Sequence, residues 1–172
     1  VLYCGPLTGF SHTGLNTSPT YYYKAFSCSP DYNYSTGMAS QATTLCNIYP
    51  LSFSESFSSS TLPSCWTRQI SGTNGVDKWT VSNTASAGGS AYEMKSTYQS
   101  VNPGITRLIS PPLNTVGQQT LNLSFKHYLD AYSSGCTLRI QSSTNGTTWT
   151  NEAWSVAATS SNIGPQIVNT TI

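Results

Sequence analysis

Fixed charge is what this chain has least of. Its 172 residues include only seven Lys or Arg and six Asp or Glu, for a formal net charge of +1. No basic stripe is available to neutralise phosphates and no polybasic cluster to meet anionic lipid, so nucleic-acid and membrane-surface roles are not expected. Long apolar runs are missing as well. Nothing approaches the roughly 20 residues a membrane-spanning helix needs, which leaves no expectation of membrane insertion. Helix periodicity does not persist beyond about ten residues anywhere in the chain. The five cysteines form no CxxC pair and the two histidines, His12 and His127, lie far apart, a pattern unlike a zinc site.

Catalytic constellations are equally thin. The acidic residues Asp31, Glu55, Asp77, Glu93, Asp130 and Glu152 are scattered, and no recognisable pair offers a general acid beside a nucleophile or base. Neither histidine stands in a nucleophile elbow such as G-x-S-x-G, and no phosphate loop or dinucleotide fingerprint is present. His127, within Phe125-Lys126-His127-Tyr128-Leu129, is expected to alternate to the outer face of a strand. The chain therefore reads as non-enzymatic, without a cofactor.

What the sequence does hold favours strands. It contains 28 Ser, 24 Thr and 11 Tyr, and 37 % of its residues are hydrophobic, enough for a packed core. β-type segments bounded by Gly, Pro, Asn or Ser recur at roughly 8–12-residue spacing, as in sandwiches. They lie near 20–28, 38–46, 51–57, 65–70, 77–82, 90–96, 105–110, 119–130, 136–143, 147–156 and 165–172. The sharpest local signal is Leu138-Arg139-Ile140 running through Ser143-Thr144-Asn145-Gly146 to Trp149, which predicts a hairpin closed by a type I′ Asn-Gly turn. The expected class is all-β, an antiparallel β-sandwich.

Cys4, Cys28, Cys46, Cys65 and Cys136 are better read as disulfide formers than as metal ligands, and an odd count leaves at least one unpaired within the chain. Buried free thiols in an intracellular protein are the plainer alternative. Five N-x-S/T sequons, at Asn16, Asn33, Asn122, Asn145 and Asn169, mark places where glycans could decorate an outer surface, although a chain so rich in Ser, Thr and Asn acquires sequons by chance. Composition shifts near Cys46-Asn47-Ile48-Tyr49-Pro50, which places a domain boundary between 1–47 and 48–172.

Two families are resembled. Gly14-Leu15-Asn16-Thr17-Ser18-Pro19-Thr20-Tyr21-Tyr22-Tyr23, followed by Asn33-Tyr34-Ser35 and Ala42-Thr43-Thr44-Leu45, resembles the last strands of a fibronectin type III domain. The resemblance implies a tyrosine corner at Tyr21 or Tyr22 and a partial Ig-like sandwich over 1–47. From 48 to 172, the order Phe53-Ser54-Glu55-Ser56-Phe57, Leu62-Pro63-Ser64-Cys65-Trp66, Trp79, Gly88-Gly89-Ser90-Ala91, Leu108-Ile109-Ser110-Pro111-Pro112-Leu113 and Leu123-Ser124-Phe125 resembles the jelly-roll modules of the MAM and cleaved-adhesin group. That resemblance implies an extracellular jelly roll, a Cys46–Cys65 disulfide contributing about 3 kcal/mol through closure of its loop, and a structural calcium at Glu55 with backbone carbonyls and a late aspartate. Cys4 with Cys28 is a possible second bridge.

Both ends look unfinished on this reading: the first part lacks opening strands, and the jelly roll lacks its last ones. The functional expectation is a secreted adhesive or structural protein at the cell surface, self-associating head to tail into a filament as each copy completes its neighbour's sheets. The alternative is an adhesion or carbohydrate-binding module excised from a larger secreted protein or hydrolase. In that case Trp66, Trp79, Trp149 and Trp154, with Tyr92, Tyr98, Tyr128 and Tyr132, would stack against sugar rings, where the plainer reading makes them core residues.

Overall fold

The computed structural model describes residues 4–16, 19–72, 79–97, 104–130 and 135–172. Asp77, Tyr98 and Tyr132 lie outside the described residues. The chain is all-β, with no helix among the described residues. Ten strands run in order: β1 (Thr20–Ala25), β2 (Met38–Thr43), β3 (Thr67–Ser71), β4 (Trp79–Ser82), β5 (Glu93–Ser96), β6 (Ile105–Ile109), β7 (Asn122–Leu129), β8 (Thr137–Ser142), β9 (Thr150–Ala157) and β10 (Ile163–Thr171). They pair antiparallel as five two-stranded ribbons, β1–β2, β3–β6, β4–β5, β7–β10 and β8–β9. Among the described residues no backbone ladder joins one ribbon to the next, so the outer edges of each pair carry no strand partner there.

Side chains join the ribbons instead. The Arg107 guanidinium on β6 donates from Nε to Gln141 Oε1 on β8 at 2.7 Å and lies over the Trp149 ring at 5.3 Å. Phe125 on β7 meets Trp154 on β9 edge to face, with ring centroids 5.0 Å apart. Trp79 opens β4 and directs its Nε1 toward the Thr106 carbonyl of β6. Side chains thus link the β8–β9 ribbon both to β6 and to β7. Ahead of β3, Phe53 and Phe57 both pack on Trp66, and the Cys46–Cys65 disulfide closes beside them with Cα atoms 5.7 Å apart. That bridge ties the two parts of the chain on either side of residue 47. A parallel bridge of Tyr49 with Leu113 adds a backbone tie through Tyr49 N–H to the Pro112 carbonyl, 2.8 Å.

Of the segments expected as strands, 51–57 is not one. Glu55 Oε1 accepts the Phe57 N–H at 2.7 Å, and Phe57 takes a φ of 53°, so the carboxylate captures a donor that a ladder would need and the chain turns. The turn sets Phe53 and Phe57 on the same tryptophan. The Asn145-Gly146 hairpin also differs from expectation, since Asn145 keeps a negative φ and only Gly146 is positive, at 71°. Asn145 Oδ1 accepts the N–H groups of Thr147 and Thr148 at 2.9 and 2.8 Å, while Ser143 Oγ accepts the Gly146 N–H. These side-chain acceptors build a longer loop over 143–149 in place of a two-residue type I′ turn.

The interior is small. Among the described residues Cys65, Pro111, His127, Ala158 and Val168 are buried, and the chain exposes 12463 Å². A compact monomer of this length exposes about 8,200 Å², so the surface left open exceeds that by about 4,000 Å². Exposed large apolar side chains include Leu7, Phe10, Tyr22, Phe26, Met38 and Leu45.

Candidate functional site

Each tryptophan is half-buried and engaged, so none is a bare stacking platform. Trp66 is held edge to face by Phe57 at 4.9 Å, with its Nε1 buried and unpartnered. Trp149 lies under Arg107, and its Nε1 is likewise buried without a partner. Trp154 is clasped by Phe125 and His127. Trp79 meets open space: with Ser60, Thr61, Leu62, Arg68, Val81 and Met94 it lines a hollow of about 290 Å³. Arg68 is fixed there by donation from Nη1 to the Trp79 carbonyl at 2.8 Å. An indole edge, a guanidinium and hydroxyls are the chemistry that receives a sugar or another polar ring.

Arg107 is the most heavily used cation. Besides Gln141 and the Trp149 face, its Nη1 donates to Gln69 Oε1 at 3.2 Å and to Ser71 Oγ at 2.9 Å. Gln141 continues the chain of bonds to Asn151 Oδ1 at 2.7 Å, and Ser142 Oγ donates to Glu152 Oε1. The charge is satisfied by neutral oxygens and a ring face, an arrangement that holds β3, β6, β8 and β9 together. The only sequence signal for it is a charged residue at the centre of the apolar strand Ile105-Thr106-Arg107-Leu108-Ile109. Glu93 carries no such signal, yet its carboxylate accepts from Thr84 Oγ1 and from the backbone N–H groups of Ser86 and Ala87, 2.8 and 2.9 Å away. Burial alone would raise its pKa; those hydrogen bonds outweigh burial and lower it.

His127 is not on the outer face. It is 5 % exposed and faces inward beside Trp154, with ring centroids 5.3 Å apart, because β7 turns its odd positions, Leu123, Phe125 and His127, toward the interior. Nε2 shares a 2.8 Å hydrogen bond with the Gln166 amide, and Nδ1 is buried without a partner. Burial lowers its pKa. His12, in the other part of the chain, sits 3.1 Å from the Tyr23 hydroxyl through Nδ1. Among the described residues, neither histidine reaches a serine, cysteine or carboxylate in the bonds the structure shows.

Glu55, expected at a calcium, spends one oxygen on Phe57, and no group of three or more His, Cys, Asp or Glu suited to a metal occurs among the described residues. Cys46 and Cys65 are bonded; Cys4 and Cys28 are not a second bridge, and both are exposed free thiols, as is Cys136. Cys28 is instead taken into a local bridge with Tyr34, and its Sγ donates to the Ser29 carbonyl. Cys28 foremost, with burial and Cys4, raises the Tyr34 pKa. Tyr21 accepts the Asn16 N–H on its hydroxyl at 3.0 Å, five residues upstream, whereas Tyr22 is 78 % exposed.

The sequon asparagines Asn16, Asn33, Asn122, Asn145 and Asn169 are all exposed, but their settings differ. Asn145 is consumed by its loop. Asn122 and Asn169 lie on the outer face of β7–β10, where Asn122 opposes Thr171 and Asn169 opposes Ser124, so each acceptor stands across from the other sequon's hydroxyl residue. Among known proteins, the chain matches no protein-family model, no curated protein and no solved structure.

Proposed function

We propose that this chain is a non-enzymatic extracellular structural and adhesive protein, a protomer whose sheets are completed by strands from neighbouring copies in a surface or extracellular filament. The observation that carries this reading is the open surface: 12463 Å² is exposed on a chain of 172 residues. The excess of about 4,000 Å² falls in the range of obligate interfaces, about 2,000–5,000 Å². Five ribbons with unpaired edges supply the backbone donors and acceptors that strand addition uses. The Cys46–Cys65 disulfide and the Ser- and Thr-rich outer faces suit an oxidising exterior.

Sedimentation velocity of the purified 172-residue chain over a hundredfold concentration range tests the reading. Growing assemblies are expected, and a stable, soluble monomer throughout sinks it. A second reading, a carbohydrate-binding module, is favoured by the Trp79 and Arg68 hollow alone. Glycan-array binding that disappears on Trp79→Ala would support it.

A further inference from the structure

Edges differ in how they are defended. Strands that must not recruit a partner carry a charge, a proline or a bulge, because an inserted charge or a lost N–H blocks a further ladder. Seven of the ten strands carry one or more charged residues: Lys24 on β1, Arg68 on β3, Glu93 and Lys95 on β5, Arg107 on β6, Lys126 on β7, Arg139 on β8 and Glu152 on β9. The remaining three, β2, β4 and β10, have none. β4 is four residues long and half-buried apart from Thr80, which limits what it can offer. β2, Met38-Ala39-Ser40-Gln41-Ala42-Thr43, is exposed at all six positions, has no proline or glycine, and pairs β1 in unbroken register from Thr20↔Thr43 to Ala25↔Met38. β10 is the longest strand. Its irregularities, Gly164, Pro165 and the register shift before Gln166, are confined to its first part, and from Gln166 to Thr171 it runs regularly against β7, with no strand on its other edge among the described residues. Ile167 there is 62 % exposed.

Resting on the reading above, we propose that the undefended edge of β2 in one copy pairs with the undefended edge of β10, Gln166–Thr171, in the next. The two edges are different surfaces of one chain, so the contact is heterologous. After one contact the first copy keeps its β10 edge free and the next keeps its β2 edge free, so the series stays open-ended, as a filament requires. β2 belongs to the part of the chain in which no described residue is buried, and β10 belongs to the part that carries the interior. Docking the bare ribbon onto the formed one therefore covers Met38 and neighbouring apolar groups as well as satisfying backbone. If the excess surface on each copy is shared between its two contacts, each contact buries about 4,000 Å² counted over both partners, enough for an obligate interface.

The test uses two variants of the full chain, each placing charge on one edge: Ser40→Lys with Gln41→Lys on β2, and Asn169→Lys with Thr171→Lys on β10. All four positions are exposed. Each variant alone, with strand content by circular dichroism equal to the unmodified chain, is expected to sediment as a monomer at concentrations where the unmodified chain assembles. An equimolar mixture is expected to double in mass and stop there, because one intact β2 edge meets one intact β10 edge and both outer ends are blocked. Such capping also shows that neither variant is misfolded. Assembly of either variant to the same extent as the unmodified chain, or a mixture that stays monomeric, overturns the edge assignment while leaving the filament reading standing. An unmodified chain that is itself monomeric removes both.

Discussion

The stretch before residue 47 and the stretch after it solve different problems with the same kind of residue. Before residue 47, β1–β2 is a register-perfect ribbon of six pairs, yet no described residue in that part is buried. After it, registers slip between Ile163 and Gln166 and between Arg139 and Gln141, yet Cys65, Pro111, His127, Ala158 and Val168 are all buried. A regular ladder is therefore no sign of a core. Backbone pairing is satisfied locally by two strands, whereas an interior needs ribbons to face one another; the first stretch has one ribbon, and the second has four, which Phe125, Trp154 and the Arg107 clamp help join. An isolated two-stranded ribbon is marginal in water, so the first stretch depends on what it is tied to.

The largest expected break in that contrast is Trp154→Ala, which removes the ring that Phe125 and His127 both clasp. A loss of about 3–5 kcal/mol is expected in urea unfolding, with no matching loss from Tyr22→Ala in the first stretch. Next comes reduction of the tie between the stretches. Opening Cys46–Cys65 is expected to lower stability by about 3 kcal/mol, read as a lower melting temperature in reductant, and Cys65→Ser should abolish the response to reductant.

Acid should act on the second stretch through His127. His127 has a folded-state pKa lowered by burial from its ordinary 6.5, so the unfolded chain takes the proton first. Stability is expected to be level above pH 6.5 and to fall as pH drops below it; His127→Phe should flatten that step in denaturation midpoints measured from pH 7.5 to 5. The smallest effect is internal to the first stretch. Tyr21→Phe deletes an acceptor for the Asn16 N–H and should cost up to about 1 kcal/mol, while Tyr22→Phe, exposed, should change stability by less than about 0.5 kcal/mol. Equal effects from the two tyrosines would show that the hydroxyl contact is idle.

Ten of the eleven segments expected as strands are strands, because alternation and Gly, Asn or Ser punctuation act over a few residues and survive any packing. Phe53-Ser54-Glu55-Ser56-Phe57 alternates as well as any of them, but Glu55 competes for the Phe57 N–H and the aromatic pair closes on Trp66. The Asn145 loop was misread for the same reason, since side-chain oxygens took backbone donors that a two-residue turn would have left to the ladder. His127 was assigned to the wrong face because a polar residue in an alternating strand points outward by default, and here an indole and the Gln166 amide make the inward setting tolerable. Arg107 and Glu93 were not legible as anchors, since the partners of Arg107 come from β3, β8 and Trp149 ahead of β9, and those of Glu93 from a loop.

The Cys46–Cys65 pairing came from family resemblance, and the thiols of Cys4 and Cys28, equally eligible by sequence, stay apart. In the sequence nothing distinguishes Trp79 from the other three tryptophans. Only their surroundings separate Trp79, which lines a hollow, from Trp66 and Trp154 against other rings and Trp149 under a guanidinium.

What the residues decided unaided is local: an all-β chain, antiparallel pairing, the scarcity of charge, and which strands are free of it. Those properties depend on side-chain period and on short-range donors and acceptors. Tertiary structure alone decided which ribbons touch, which way His127 faces, and that the described ribbons leave so much surface uncovered. Those outcomes turn on contacts between residues far apart in sequence, and burial is a property of the neighbours that arrive, not of the residue that waits for them.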